Sequence, residues 1–538
     1  MMLKNYFSKD LMLLLLFLTG GGLVSMLLKY EVLWDFANYH YYNPWAFVNN
    51  RINYDIAVAG INGFFNPLAD IPLYYLIEYF NDYPNLIYFA QGLWFGALGF
   101  IIFKIAGLFF ADMRPVLLVL LLGLSGYAVF FQIGTSTNEI MISCFLLFSL
   151  YLILRILGKK SEAGSRLFFA SGIMSGVALG LKLTAIIYCI GLGAGLIFFY
   201  KKIPHPVENI LMFALGGLSG FLLIDGFWLW KMWELFGNPL YPYANKIFQS
   251  EYFEIRNYTD GRFLPQTWAE YVFWPFYWAV RTSHPADQAV VIDFRWGILS
   301  VLAFVAAGKG VALKSKPADT TAFLIVFTVL SYFVWVSFFA IRRYMILLEI
   351  CGMLLSVKAV IFLVPKKRKK LYFFFISILF LVAMLTPVLS QKWGGRIFSG
   401  EKEAFDRFVA VDGVKIPDNT LLMFYNYPSA ALLPYFSRTA ENIRGVSIRQ
   451  KSYFAADGEE DVFNANTKWR RKKAEAILLH KGLKVAVISR ENADTVKKML
   501  ETEFLLKGMF CWQKRSNIVP GLYFCVRPDK QQEIFAGE

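Results

Sequence analysis

Charge is scarce in this sequence: 17% of its 538 residues are charged, against 57% hydrophobic. A soluble protein could not hide that much apolar surface, so lipid is expected to be the main solvent. Cysteine is scarce as well. Five cysteines are too few and too scattered for a disulfide scaffold, and Cys144, Cys189 and Cys351 fall inside apolar runs, where a thiol is a small hydrophobe. No Asp-x-Asp pair occurs in the loops between the apolar runs, and no spacing diagnostic of a metal site is present. The expectation is therefore no cofactor and no metal, with a divalent cation open but not indicated. Acidic residues are also outnumbered, 39 against 54 basic, for a net charge of +15. Such a balance would ordinarily raise nucleic acid as a partner, but the basic residues cluster between apolar runs and do not form one soluble face. They read as topology.

Runs long enough to cross about 30 Å of hydrocarbon occur near 11–29, 85–110, 115–131, 140–157, 167–181, 184–200, 209–230, 294–307, 320–340, 344–364 and 371–390. The first run is too long for a signal peptide and no small-x-small cleavage site follows it, so it is read as a membrane helix. With the N-terminus cytoplasmic, the inner loops carry Lys104 and Arg114, then Arg155, Lys159, Lys160 and Arg166, then Lys201 and Lys202, then Lys309, Lys314 and Lys316, then 366–370. Every inner loop satisfies the positive-inside rule. The outer loops are then about 30–84, 132–139 and 231–293, with turns at Lys182 and at Arg342–Arg343. The short apolar stretch 67–80 is expected to be an interfacial helix, because a crossing there would turn the Lys-rich loops outward. The aromatic run 31–47 is expected along the outer membrane surface.

From about 391 the composition becomes that of a soluble domain. Strands are expected at 420–427, 483–489, 506–513 and 521–527, and helices at 468–480 and 493–503. The architecture is thus an α-helical polytopic membrane module over 1–390, about eleven crossings plus interfacial helices, followed by an extracytoplasmic α/β domain over 391–538. Cys511 and Cys525 flank a turn near 517–520 and would form either a cross-strand disulfide or two buried thiols.

Candidate chemistry gathers on the outer side. Asp35, in Trp34-Asp35-Phe36-Ala37-Asn38-Tyr39-His40, is a carboxylate at the lip of a low-dielectric region, suited to general base work on a hydroxyl or to being a plain interfacial charge. Glu139, after Thr135-Ser136-Thr137-Asn138, opens a membrane helix, where capping explains it nearly as well as function. His40 could assist acid/base chemistry or be an ordinary hydrogen-bonded interfacial residue. Lys182 interrupts an apolar stretch, and Arg342 with Arg343 opens a membrane helix containing Glu349. These cations could hold a lipid phosphate or pyrophosphate, or pair structurally with Glu349 or Asp225. In the long loop, Asn238 within Asn238-Pro239 and Arg262 within Asp260-Gly261-Arg262-Phe263 sit among aromatics that suit sugar or lipid contact.

Together these features resemble the C-type superfamily of membrane glycosyltransferases (GT-C), which includes protein O-mannosyltransferases and aminoarabinose transferases. The resemblance lies in order and sidedness: Asp35 after the first helix, an interfacial helix, Glu139 in the next outer loop, the turn Gly180-Leu181-Lys182-Leu183-Thr184, Arg343-Tyr344 before Met345-Ile346-Leu347-Leu348, and a C-terminal outer domain. The Asp-Glu pair of the mannosyltransferases is absent after Asp35, the order of Lys182 and Thr184 is reversed, and the proline of the Arg-Tyr-Leu-Leu-Pro signature is missing. The resemblance implies an inverting transferase in the inner (cytoplasmic) membrane, moving a sugar from a polyprenyl phosphate-linked donor to a glycan, lipid or protein acceptor. Asp35 would be the base, Glu139 would orient the site, and Lys182 with Arg342 or Arg343 would stabilise the departing lipid phosphate. Alternatives are an envelope glycan polymerase or ligase acting on lipid pyrophosphate without Asp35, and a lipid or sugar transporter, for which the paired repeats are not seen.

Overall fold

The computed structural model describes residues 2–29, 34–158, 164–257, 261, 263–280, 293–314, 317–364, 368–389, 406–425, 428–449, 468–489, 508–519 and 521–534. Among them, eight helices are long and apolar enough to cross a membrane. They are α1 (Met2–Leu28), α4 (Pro84–Phe109), α7 (Glu139–Leu157), α8 (Gly164–Leu181), α10 (Pro206–Phe236), α13 (Arg295–Ala312), α14 (Asp319–Phe338) and α15 (Ile346–Leu363). Three further helices stand at the remaining expected crossings: the shorter α5 (Met113–Leu124) and α9 (Ile186–Phe198), and α16 (Lys369–Leu389) with its apolar stretch Phe373–Val382. Between α1 and α4 lie α2 (Tyr42–Val48) and α3 (Ile71–Phe80), and α6 (Tyr127–Phe130) follows α5. The run 115–131, read as one crossing, is thus broken at Ser125-Gly126. The break has a partner: the Ala128 amide donates to both carboxylate oxygens of Glu349 in α15 at 3.2–3.3 Å. A buried carboxylate thereby takes a backbone donor freed at the start of a helix.

Helix packing follows the small residues. Gly172, Gly176 and Gly180 recur every four residues on α8, with Gly216 and Gly220 on α10, so the two backbones approach directly, as small-xxx-small faces allow in lipid. A Cβ on Gly176 would stand 2.0 Å from the carbonyl oxygen of Gly217. Gly176→Ala must therefore push α8 and α10 apart, and should cost about 1–3 kcal/mol by overpacking. A lowered midpoint of the full-length protein in a detergent unfolding titration is the expected reading; an unchanged midpoint would contradict the contact.

The C-terminal domain is a five-stranded sheet of β1 (Leu421–Tyr425), β2 (Arg444–Arg449), β3 (Lys484–Ser489), β4 (Phe510–Lys514) and β5 (Leu522–Val526) in the order β2-β1-β3-β5-β4. β1 runs parallel to β2 and β3, whereas β5 is antiparallel to β3 and β4. β1 is buried throughout, as a continuous apolar run between two parallel neighbours requires. The expected helix at 468–480 is Lys468–Leu479; that at 493–503 lies outside the described residues. Strand β2 carries no strand signal in the sequence, because Arg444, Gly445, Ser447 and Arg449 break any apolar pattern. Cys511 and Cys525 sit directly opposite each other and are joined by a disulfide.

The aromatic run after α1 departs from expectation. It does not lie on a surface: Phe36, Tyr39, Tyr41, Tyr42 and Trp45 are each no more than 5% exposed. The sheet domain covers them. Phe36 packs edge-on against Phe408, the Ala431 amide donates to the Ala37 carbonyl at 3.0 Å, and Ile56 exchanges backbone hydrogen bonds with Gly445 and Ser447 at the β2 edge. Charged latches sit around this apolar contact. Asp55 is clasped by Arg51 and accepts from the Gly445 amide at 2.8 Å, and Arg438 donates to Glu78 at 3.0 Å. On the far side Trp469 donates to the Tyr241 hydroxyl at 3.0 Å. Aromatic amphipathicity does not distinguish a headgroup neighbour from a protein neighbour, since both offer an apolar side and a polar rim.

Candidate functional site

Four segments remote in sequence converge where the sheet domain meets the helices. Asp35 stands at the head of a π-type turn, Phe36–His40. Glu139 is the first residue of α7, after Asn138 in the left-handed conformation. Lys182 ends α8 in an extended conformation. Arg343 belongs to the tight turn Arg342–Met345 that leads into α15.

Arg343 is the centre of the arrangement. Its Nη1 donates to Asp35 Oδ2, its Nε lies 3.6 Å from Glu139 Oε1, and its Nη2 donates to the Tyr344 hydroxyl at 3.3 Å. Lys182 Nζ donates to the same Glu139 oxygen at 2.6 Å and to the Thr137 carbonyl at 2.7 Å. Two cations thus face two carboxylates that are 7% and 5% exposed, which lets a charged cluster stay buried without further counterions. Glu139 Oε2 is buried with no hydrogen-bond partner among the described residues. Burial pushes the Asp35 carboxyl up, but Arg343, then His40 and Lys182, outweigh it and hold it below its ordinary value. Asp35 is therefore an ionised acceptor.

A narrow, open cleft with about 20 Å³ of free volume lies beside this cluster, lined by Glu139, Lys182, Arg343 and Tyr344 and by Ile142, Ser143, Leu146, Ala185 and Tyr188. Residues 139, 142, 143 and 146 share one face of α7, so the cleft runs along that helix from a charged mouth to an apolar floor. Its chemistry suits an amphiphile with an anionic head and a hydrocarbon tail.

The other expected site residues divide. His40 is 3% exposed and its Nδ1 meets both oxygens of Asp70 at 2.8 Å; Asp70, which no sequence signal singled out, also accepts from Asn138 Nδ2 at 2.6 Å. Arg342 parts company with Arg343. Its guanidinium lies 5.4 Å over the Tyr127 ring, among a second buried group in which Arg295 contacts Asp293 at 2.5 Å and Glu349 at 3.7 Å. Consecutive residues in a 3₁₀ turn point about 120° apart, and the two arginines meet different partners here. Of the acids weighed as structural partners, Glu349 meets Arg295 at 3.7 Å within the group that Arg342 joins, and Asp225 accepts from Asn66 at 2.7 Å. Asn238 is fully buried and engaged in its own loop, donating to the Tyr243 carbonyl at 2.8 Å and accepting from the Leu240 amide at 2.9 Å. Arg262 lies outside the described residues. Among the described residues no group of three His, Cys, Asp or Glu side chains is placed to hold a metal ion.

Gln132 supports the site from below. Its amide donates to the Ala128 carbonyl at 2.5 Å and the Arg343 carbonyl at 3.1 Å, and its oxygen accepts from Thr137 at 2.8 Å. It ties the Glu349 group to the loop that presents Glu139.

No family model and no curated protein matches this chain. Solved structures do. ArnT from Cupriavidus metallidurans in the apo state is 13% identical, with a TM-score of 0.53 over 98% of both chains. The same protein bound to undecaprenyl phosphate is 14% identical, again at 0.53, over 97% of this chain and 98% of that one. The likeness is one of fold and spans the membrane module and the sheet domain together. This chain is a polytopic membrane protein that shares the fold of ArnT and carries a C-terminal α/β domain.

Proposed function

We propose that this protein transfers a sugar from a polyprenyl phosphate-linked donor to an acceptor hydroxyl or similar group, with inversion, at the outer face of the cytoplasmic membrane. The observation that carries this reading is Arg343 bridging Asp35 and Glu139, with Lys182, at the mouth of an apolar cleft. Charge develops on the lipid phosphate as the glycosidic bond breaks, and Arg343 and Lys182 are preorganised cations where it would appear. Asp35 is the base that takes the acceptor proton; Glu139 holds Lys182 and Arg343 and offers its second oxygen to a donor. The apolar residues beside the cluster, Ile142, Leu146 and Tyr188, are where the first isoprene units would lie against the protein, and the undecaprenyl phosphate bound by ArnT is a ligand of that chemistry. The basic inner loops support a cytoplasmic N-terminus, which puts the site and the sheet domain outside.

A polymerase or ligase that uses Arg342 and Arg343 together without Asp35 is less well supported, because Arg343 is committed to Asp35 and Arg342 to another group. The test is mass spectrometry of envelope glycans and polyprenyl-linked sugars from cells lacking the protein, complemented with wild type or Glu139→Gln. A sugar restored by wild type, and lowered about tenfold or more by Glu139→Gln while its lipid-linked donor accumulates, is the expected result. Full restoration by Glu139→Gln would remove the cluster from the chemistry.

A further inference from the structure

His40 and Asp70 stand in a relation that the transferase reading leaves unused. The imidazole is 3% exposed and Asp70 is 4% exposed. Asp70 meets Nδ1 with both oxygens at 2.8 Å, and Asn138, next to Glu139, holds Asp70 through Oδ1 at 2.6 Å. An ionised carboxylate only accepts, so the proton between them sits on Nδ1, and in the neutral ring Nε2 carries the lone pair. That Nε2 is buried and has no hydrogen-bond partner among the described residues. The Tyr39 ring, 4.2 Å away, backs the imidazole. His40 closes the π-type turn that Asp35 opens, and such turns recur at functional sites.

We propose that Asp70 is a positioning residue: it fixes the His40 tautomer so that Nε2 is the resting place of the proton released from the acceptor. This rests on the transferase reading and deepens it. The acceptor O–H bond breaks toward Asp35 as its oxygen bonds to the anomeric carbon. The carbon–oxygen bond to the lipid phosphate breaks with its electron pair going to the phosphate. The proton moves on to Nε2, and Asp70 balances the imidazolium. A carboxylate clasped by Arg343 is a poor place to store a proton, whereas the buried Nε2 of His40 has no hydrogen-bond partner among the described residues. Asp293, Arg295 and Arg342 belong to the other buried group; Asp70 meets His40 directly, and Asp35, held by Arg343, stands at the opposite end of the same turn.

Asp70→Asn is the informative change. With its amide oxygen on Asn138, its nitrogen replaces Oδ2 beside His40 Nδ1, so the Nδ1–H loses its charged acceptor and an N–H donor competes for Nδ1, favouring a ring proton on Nε2. The full-length protein in lipid nanodiscs, with isotope-labelled histidine, has four histidines to resolve, and His40→Gln assigns the signal. Wild type should show the Nδ1–H form and Asp70→Asn the Nε2–H form, with the other histidine signals unmoved. In complemented cells, Asp70→Asn and His40→Gln should each lower the transferred sugar at least about tenfold. The double variant should fall no further than His40→Gln, because the two act as a unit. A wild-type His40 protonated on Nε2, an Asp70→Asn protein that keeps full product, or a multiplicative loss in the double variant would each overturn the proposal. Asp35→Asn and Arg343→Lys separate the two levels. If both keep full product, the assignment of the reaction to this cluster falls and the inference about Asp70 with it; if they lose it while Asp70→Asn does not, only the inference about Asp70 falls.

Discussion

Asp35→Asn should reduce transfer about 10²–10⁴-fold, the range by which a positioned acid/base group accelerates a reaction. The amide keeps the shape of the side chain, so access to the cleft is unchanged, but it cannot take a proton. It also leaves Arg343, now facing only Glu139, with one carboxylate fewer. Breaking a buried pair from one side costs about 3–5 kcal/mol, so protein level in the membrane must be measured beside activity. The expected pattern is normal or moderately lowered protein, loss of the transferred sugar, and accumulation of its polyprenyl-linked donor. Asp35→Glu should recover part of the activity, since it restores the charge at a shifted position. Full activity in Asp35→Asn would mean that the carboxylate serves only to hold Arg343.

Arg343→Lys is the second large effect, and it separates charge from shape. Lysine keeps the positive charge and most of the length. It cannot reach Asp35, Glu139 and the Tyr344 hydroxyl at once, because those contacts use Nη1, Nε and Nη2 of one planar fork. Loss of one preorganised donor to a developing oxyanion costs about 10²–10³-fold, and transfer should fall by that order with donor binding weakened less. Lys182→Arg, by contrast, retains a charge at a site where the present contacts come from a single Nζ, and should be milder. If Arg343→Lys equals wild type, the fork geometry has no part in the reaction.

Much of the architecture was legible because lipid imposes its pattern on sequence. Eleven apolar runs and their basic inner loops mark where helices stand, and the described helices stand there. The sheet domain was legible in part: β1, β3, β4 and β5 carry enough apolar alternation to be seen, while β2 reads as a polar stretch and is recruited by its neighbours. Asp35, Glu139, Lys182 and Arg343 were legible as isolated charges at the mouths of apolar runs, where charge is costly and so usually has a purpose. What the residues there do with one another was not.

The sequence by itself determined that the chain crosses a membrane many times and ends in an α/β domain, since both follow from local composition and period. It also determined which charges stand near the ends of the crossings. Only the tertiary structure decided their partners. Arg342 and Arg343 are adjacent and alike in sequence, yet one turns to Asp35 and Glu139 and the other to the Asp293–Arg295–Glu349 group. His40 finds Asp70 thirty residues away, and the aromatic run after α1 finds the sheet domain nearly four hundred residues later. The physical reason is that a buried charge is stable only with a partner in reach, and reach is set by how helices pack, which is a property of glycine faces and turn directions summed over the whole chain.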